Sequence, residues 1–375
     1  MKRILALIIV LTMVFCLCGT ASADASEDKE VTLSVASFLG SGNPAEPILN
    51  ITFNMLYEKS GGTIKCEYFG NSTLLGQSDM IDGVKAGIAD VGFLQFGDYP
   101  GMFPEMSMPE YPGIYFASGP AITNAYKDYY ETYKPAELDG IHILTFECGT
   151  LGGIFSNKGP IHHPSDLEGQ TIRSLGNMAK CVSAFGGVPV DVSIADCYES
   201  LRTGVLDGIM TINGALEGFK LSEVIDYGMN YPLYNHGNIW FMNEDVYNSL
   251  SENQQRAVDE TFDALFDCLY SPYINDLFQF SRVGEAINEV DSHGEYYWPT
   301  EEEIGEFQVL IEGIVQEYAD SIDNGQEILD RWTALAEKWN EVYPHKDVRE
   351  DAYIMTYPDT GERFSSDNHV WQLDY

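Results

Sequence analysis

Between residues 31 and 96 the apolar pattern alternates between the two-residue period of a strand and the ~3.6-residue period of a helix, and it does so again between 171 and 212. VTLSVAS (31–37) alternates apolar and polar residues as a half-buried strand does. ITFNMLYEKSGG (51–62) reads as the last turns of a helix closed by Gly61 and Gly62, and TIKCEYF (63–69) reads as a second strand. Ser78 is placed to cap DMIDGVKAG, with Asp79 and Asp82 favourably near the positive end of the helix dipole; ADVGFLQF (89–96) is the next strand. In the second region TIRSL (171–175) leads into a helical segment ending at Phe185. VPVDV (188–192), a helix through Asp196 and CYESLRTG, and LDGIMTI (206–212) follow. Repeated strand–helix–strand units call for a largely parallel sheet covered by helices, so two separate sets predict two α/β lobes. At 375 residues and 45% hydrophobic, the chain can fill two cores.

The charge balance narrows the partners. Lys and Arg number 20 against 58 Asp and Glu, a net −38, which argues against nucleic acid because phosphate binding needs a basic face. Lys2 and Arg3 precede LALIIVLTMVF, and Ala21-Ser22-Ala23 fits small-residue cleavage, so residues 1–23 read as a signal peptide. Lipoprotein processing at Cys16 or Cys18 is the weaker alternative, since the preceding Phe15 and Leu17 are too large for such a site. Cleavage after Ala23 takes the net charge to −40 and places the mature chain outside the cytoplasm, with the periplasm as the expected compartment. No later segment reaches the ~18 consecutive apolar residues of a membrane span.

Chemistry-bearing motifs are scarce. Cys66, Cys148, Cys181, Cys197 and Cys268 are few, odd in number and far apart, so a disulfide framework is unnecessary, although one bridge is compatible with an oxidising compartment. There is no CxxC or HExxH, and adjacent His162 and His163 should point to opposite sides of a solvated loop; no metal or other cofactor is expected. GxSxG, GxxxxGK[ST] and GxGxxG after a strand are all missing, so the residues give no support for an enzyme. Arg173 in GQTIRSLGN is conspicuous in so acidic a chain, and its residue type leaves two roles open. One is a salt bridge to a neighbouring acid, the other a bidentate grip on a ligand carboxylate.

Local expectations accompany these. Tyr198, Leu201 and Val205 are spaced as the buried stripe of a helix, Gly204 permits the turn after it, and Asp207–Gly208 is expected in a tight loop at a cleft edge. Gly76 is expected in a turn with positive φ. Phe69, Tyr111, Tyr231 and Trp240 fall in segments near a cleft, each also suited to core packing. Near the C-terminus, 301–322 and 325–343 have the pattern of amphipathic helices, with Ile304, Phe307, Ile311 and Ile314 on one face, and are expected to pack across the lobes.

Four segments carry a family likeness: EKSGGTIKCEYFGNSTLLGQSDMIDGVKAGIADVGF (58–93), FSNKGPIHHPSDLEGQTIRSLGN (155–177), FGGVPVDVSIADCYESLRTGVLDG (185–208) and FMNEDVYNSLSENQQRAV (241–258). In this order and spacing they resemble the extracytoplasmic solute-binding proteins of tripartite ATP-independent periplasmic (TRAP) transporters. The resemblance implies a two-lobed, periplasmic-binding-protein-like α/β fold with crossing strands, a long spanning helix and C-terminal helices. The division expected is lobe 1 at 24–150 with 240–280 returning to it, lobe 2 at 151–239 with 281–330 packing on it, and a C-terminal helix and surface arm at 331–375. It implies capture of a small organic acid by cleft closure and delivery to the small and large membrane subunits, by a monomer with no catalytic activity. A secreted enzyme and a sensor ectodomain are the alternatives on a similar fold. It also assigns Arg173 to the ligand carboxylate. Other ligand-binding positions carry over with departures: Gly152 stands where a second arginine is frequent, Thr211 where an asparagine is, Gln95 where sialic-acid binders have an acid, and Ile194 where phenylalanine is common. Asn177 and Trp240 complete the expected pocket.

Overall fold

The computed structural model describes residues 28–39, 46–99, 101–148, 152–212, 215–216, 219–267, 295–297, 299–344, 355–356 and 363–364. Residues 1–23, expected to be a signal peptide, the stretch 268–294 with Cys268, and most of 345–375, expected to be a surface arm, lie outside the described residues, as does the side chain of Tyr231.

Lobe 1 is built on β1 (Val31–Ala36), β2 (Ile64–Phe69), β3 (Val91–Gln95), β4 (Ile141–Cys148) and β10 (Gly237–Asn243), in the order β2-β1-β3-β10-β4. β1 runs parallel to both β2 and β3, while β10 is antiparallel to its two neighbours. Every residue of β10 is buried, as a strand covered on both faces must be. Helices α1 (Glu46–Lys59) and α7 (Glu252–Leu265) cover one face, where Leu33, Leu49, Val258 and Phe262 meet. α2 (Met80–Lys85), α3 (Gly119–Tyr133), α6 (Glu244–Ser249) and α9 (Gly325–Val342) complete the same apolar core. α7 opens with the capping box that its sequence writes, Ser251 accepting from Gln254 N and the Gln254 side chain accepting from Ser251 N.

Lobe 2 contains β5 (Gly152–Ser156), β6 (Thr171–Arg173), β7 (Val188–Val190), β8 (Gly208–Ile212), β9 (Tyr227–Tyr234) and β11 (Glu295–Tyr297), in the order β11-β9-β5-β8-β6-β7. Two clusters sandwich this sheet. Ile154, Ile172 and Met210 pack with α4 (Met178–Ala184) and α8 (Glu301–Ala319) on one face; Phe155, Ile209, Cys197 and Leu201 pack under α5 (Ile194–Arg202) on the other. Gly208 is confined by its neighbours, since a Cβ there would stand 2.3 Å from the Phe155 carbonyl oxygen.

The lobes are joined by strands that pass from one sheet to the other, β4 into β5 and β9 into β10. Cys148 at the end of β4 and His236 just before β10 lie side by side. Cys148 Sγ donates to the His236 carbonyl (2.6 Å), and buried Glu110 accepts from Gly97 N (3.0 Å) and Gly237 N (3.1 Å). Burial pushes the Glu110 carboxyl up. A third link is α8: Phe307, Ile311 and Ile314 belong to the lobe 2 core, whereas Val315 and Ala319 belong to that of lobe 1.

Several local expectations are corrected. Ser78 lies inside a 3-10 turn (Gln77–Asp79), and Asp79 occupies the N-cap of α2 without a side-chain bond, because the chain enters the helix through that turn. Gly76 has φ −68°, open to any residue, so its turn needs no left-handed conformation. Val205 is 67% exposed because α5 ends at Arg202, before the stripe reaches it; Leu201 is buried and Gly204 does take a positive φ of 73°.

The two histidines are corrected as well. Neither belongs to a purely solvated loop: His162 Nδ1 reaches Glu303 (2.8 Å) and His163 Nδ1 reaches Glu306 (2.9 Å), fastening their loop to the first turns of α8. The hydrogen bond to Glu306, followed by its charge, raises the His163 pKa above the ordinary histidine value. This stabilisation is therefore complete below the unfolded value of ~6.5 and fades as pH rises through the raised one. The Tm difference between wild type and His163→Gln is expected to be small and larger at about pH 5.5 than at about pH 8.5. An unchanged difference across that range counts against a charged pair.

Candidate ligand cleft

The carboxyl ends of parallel strands are where open α/β sheets place ligands, because loops diverge there and helix N-termini point inward. In lobe 2 those are the ends of β6, β7 and β8. Arg173 closes β6, in register with Val190 of β7 and Ile209 of β8. Ile172 and Met210 face α4 and α8, so strand alternation puts Arg173, Ile209 and Thr211 on the face under α5. The Arg173 side chain is only 6% exposed, and its Nε donates to the Val192 carbonyl at 3.1 Å, just before α5 begins. Its charge is felt by Cys197 in the first turns of that helix: burial pushes the Cys197 thiol up, and the guanidinium pulls it down.

Among the described residues no carboxylate lies within ion-pair distance of Arg173. The surface salt bridge left open by the sequence is thus not what holds this residue. A buried guanidinium with one bond to a carbonyl retains N–H donors for a planar anion.

Thr211 is buried on β8 opposite Gly153, and Gly152 opens β5 opposite Ile212 and Tyr234, beside the strand passage. Ile194 is the first residue of α5 and Asn177 the N-cap of α4, each half-buried at this end of the sheet. Asp207 and Gly208 lie at the other end. Asp207 accepts from Thr171 N (2.9 Å) and pairs with Lys158 (2.9 Å), so it anchors the start of β6 and does not shape the cleft edge.

On lobe 1 the matching end carries Gln95, Asn238 and Glu147, paired across β3, β10 and β4 and therefore on one face. Gln95, expected in the pocket, is at this position. Trp240 is set further back, its ring against Phe93 (4.8 Å) and the wall of a small apolar cavity of about 20 Å³ under α1 and α7. It touches the polar end only through Nε1, which donates to Glu147 Oε2 (3.1 Å). Of the other aromatic residues, Tyr111 stacks on Tyr318 (3.7 Å) and Phe69 ends β2 at the edge of the sheet.

Three polar groups at this end were not singled out from sequence. Ser174 Oγ, Asn235 Oδ1 and Asn238 Oδ1 are buried without a hydrogen-bond partner among the described residues. The available signal was an asparagine inside the otherwise apolar run of β10, since a buried amide needs partners. No group of His, Cys, Asp and Glu suited to a metal ion occurs among the described residues. Among the described residues Cys66, Cys148, Cys181 and Cys197 form no disulfide, and the thiols of Cys66 and Cys181 are pushed up to about 12 by burial.

Two α/β sheets joined by the chain passing from β4 to β5 and from β9 to β10, each with polar groups at the carboxyl end of its parallel strands, define a bilobal architecture. Residues 39–320 match the family of bacterial extracellular solute-binding proteins, family 7 (DctP), and the chain belongs to that family. Its fold is that of the TRAP solute-binding proteins. It superposes on one from a marine metagenome, specific for aromatic acid ligands, with a TM-score of 0.74 at 22% identity, covering 83% of this chain and 100% of that one. Among curated relatives, the uncharacterized protein YiiZ of Salmonella typhimurium is 25% identical over 246 residues, 62% of this chain and 72% of its own length. The ectoine-binding periplasmic protein TeaA of Halomonas elongata is 28% identical over 183 residues, 47% of this chain and 51% of its own. The chain thus spans about half the length of TeaA. No described helix is long and apolar enough to cross a membrane.

Proposed function

We propose that this protein captures a small organic acid in the periplasm and hands it to the small and large membrane subunits of a TRAP transporter, acting as a monomer and without turnover. The observation that carries the reading is Arg173, buried, bonded to the Val192 carbonyl and without an acidic partner among the described residues. A charge so placed is costly unless an anion meets it, and a closing cleft strengthens the pair by excluding water. The neighbouring N-terminus of α5 adds the partial positive charge of its free N–H groups. The binding of aromatic acids by the marine-metagenome protein supports the class of solute. In a chain of net −38 the long-range field repels anions, so capture falls to this local potential.

A thermal-shift screen of organic acids tests the proposal. A true ligand at ~100 times its Kd should stabilise the protein by about 2.7 kcal/mol, readable as a rise in Tm of several degrees, with no change on adding a chelator. Recovery of the ligand chemically unchanged after prolonged incubation is expected of a carrier. Its conversion would favour an enzyme, and the absence of any stabilising acid would overturn the carboxylate assignment.

A further inference from the structure

We infer that the solute bears hydrogen-bond donors, hydroxyl or amino groups, on the part remote from its carboxylate, and that Asn238 of lobe 1 receives one of them. This deepens the organic-acid reading and rests on it. The starting point is a mismatch. Asn238 is 4% exposed, yet its Oδ1 has no partner among the described residues, and the same holds for Asn235 Oδ1 at the strand passage. Both atoms are carbonyl oxygens, which can only accept. Buried acceptors are normally paired, and leaving one unpaired costs the full desolvation of the group.

The register of the sheet states which way these groups serve. Asn238 is paired with Gln95 on one side and Glu147 on the other, and residues directly opposite across an antiparallel ladder share a face. The end of the lobe 1 sheet at which β3 finishes therefore offers an unpaired amide oxygen next to a carboxylate, Glu147, that already accepts from Trp240 Nε1 at 3.1 Å. A ligand carboxylate placed there would meet like charge. Placed at Arg173 in lobe 2, it leaves its own remote groups to face acceptors. A plain alkyl or aryl acid would leave these buried acceptors unpaired, whereas an acid with O–H or N–H groups pairs them. Ser174 Oγ, 1% exposed and also without a partner among the described residues, follows Arg173 in the chain and can give or take one further bond.

Carbon-matched acids distinguish the two kinds: hexanoate against gluconate, and butanoate against 4-aminobutanoate, titrated calorimetrically into wild type, Asn238→Leu and Arg173→Ala. Wild type is expected to prefer at least one donor-bearing member over its plain partner by about tenfold or more. Asn238→Leu should lose that preference while binding the plain acid within about twofold of wild type. Because Leu removes an unpaired acceptor, the Tm of the unliganded variant should be unchanged or higher. Equal or tighter binding of plain acids by wild type, an equal loss of both kinds in Asn238→Leu, or a clear drop in its unliganded Tm would each overturn this inference alone. If no acid binds, or if Arg173→Ala binds them as wild type does, the carboxylate reading falls and this one with it.

Discussion

Replacing Arg173 with Ala is expected to weaken carboxylate binding by about 2–5 kcal/mol, roughly thirtyfold to several thousandfold in Kd, because the anion would be left desolvated without its partner. Thr211 and Gly152 make the dependence steep. A threonine offers one donor, and Gly152 offers no side chain at the strand passage, so no second cation on these positions can take over. Arg173→Lys should recover only part of the loss, since an ammonium cannot present two parallel N–H groups to a carboxylate. The folded protein should lose little, as one bond to the Val192 carbonyl is worth about 1 kcal/mol. Calorimetric titration with the acid found by screening measures the effect. Binding by the Ala variant within about threefold of wild type would remove Arg173 from the site.

The largest effect on stability is expected at Trp332. Its side chain is fully buried in lobe 1, stacked on Tyr129 at 4.3 Å and set edge-on to Tyr126 at 4.9 Å, and its Nε1 donates to the Glu105 carbonyl at 2.8 Å. Trp332→Ala removes this packing and leaves that carbonyl unpaired, an expected loss of about 3–5 kcal/mol. Trp332→Phe should keep most of the ring contact and cost less. Urea unfolding with an unchanged m-value reads both. A cost below about 1 kcal/mol for the Ala variant would mean that α9 is an appendage to lobe 1 and not part of its core.

That helix illustrates what the sequence made visible. Its apolar spacing, like that of Ile304, Phe307, Ile311 and Ile314 in α8, marked a buried stripe, and the alternation of VTLSVA and IKCEYF marked paired strands. Periodicity reports which face of an element is buried, but not what covers it. Hence α8 was readable as an amphipathic helix packing across the lobes, while which of its residues root in which core was not. The same gap explains Asp207. Its neighbours suggest a tight loop, yet only the pairing of β6 with β8 reveals which end of the sheet that loop occupies. In the cleft, Arg173 stood out by its rarity. Asn238 was hidden in an apolar strand, and its importance comes from register with Gln95 and Glu147, a relation among three strands distant in the chain.

The placement of α8 has a mechanical meaning. A single helix whose Phe307, Ile311 and Ile314 are rooted in one core and whose Val315 and Ala319 are rooted in the other is a stiff rod clamped at both ends. Close-packed cores yield little, so opening and shutting cannot be free swings about the crossing strands; each departure from the resting angle has to pull side chains partly out of one clamp. A change in the angle between the lobes would therefore meet resistance from α8 before any solute arrives. Trimming Val315, at the boundary between the clamps in the lobe 1 core, would loosen that resistance.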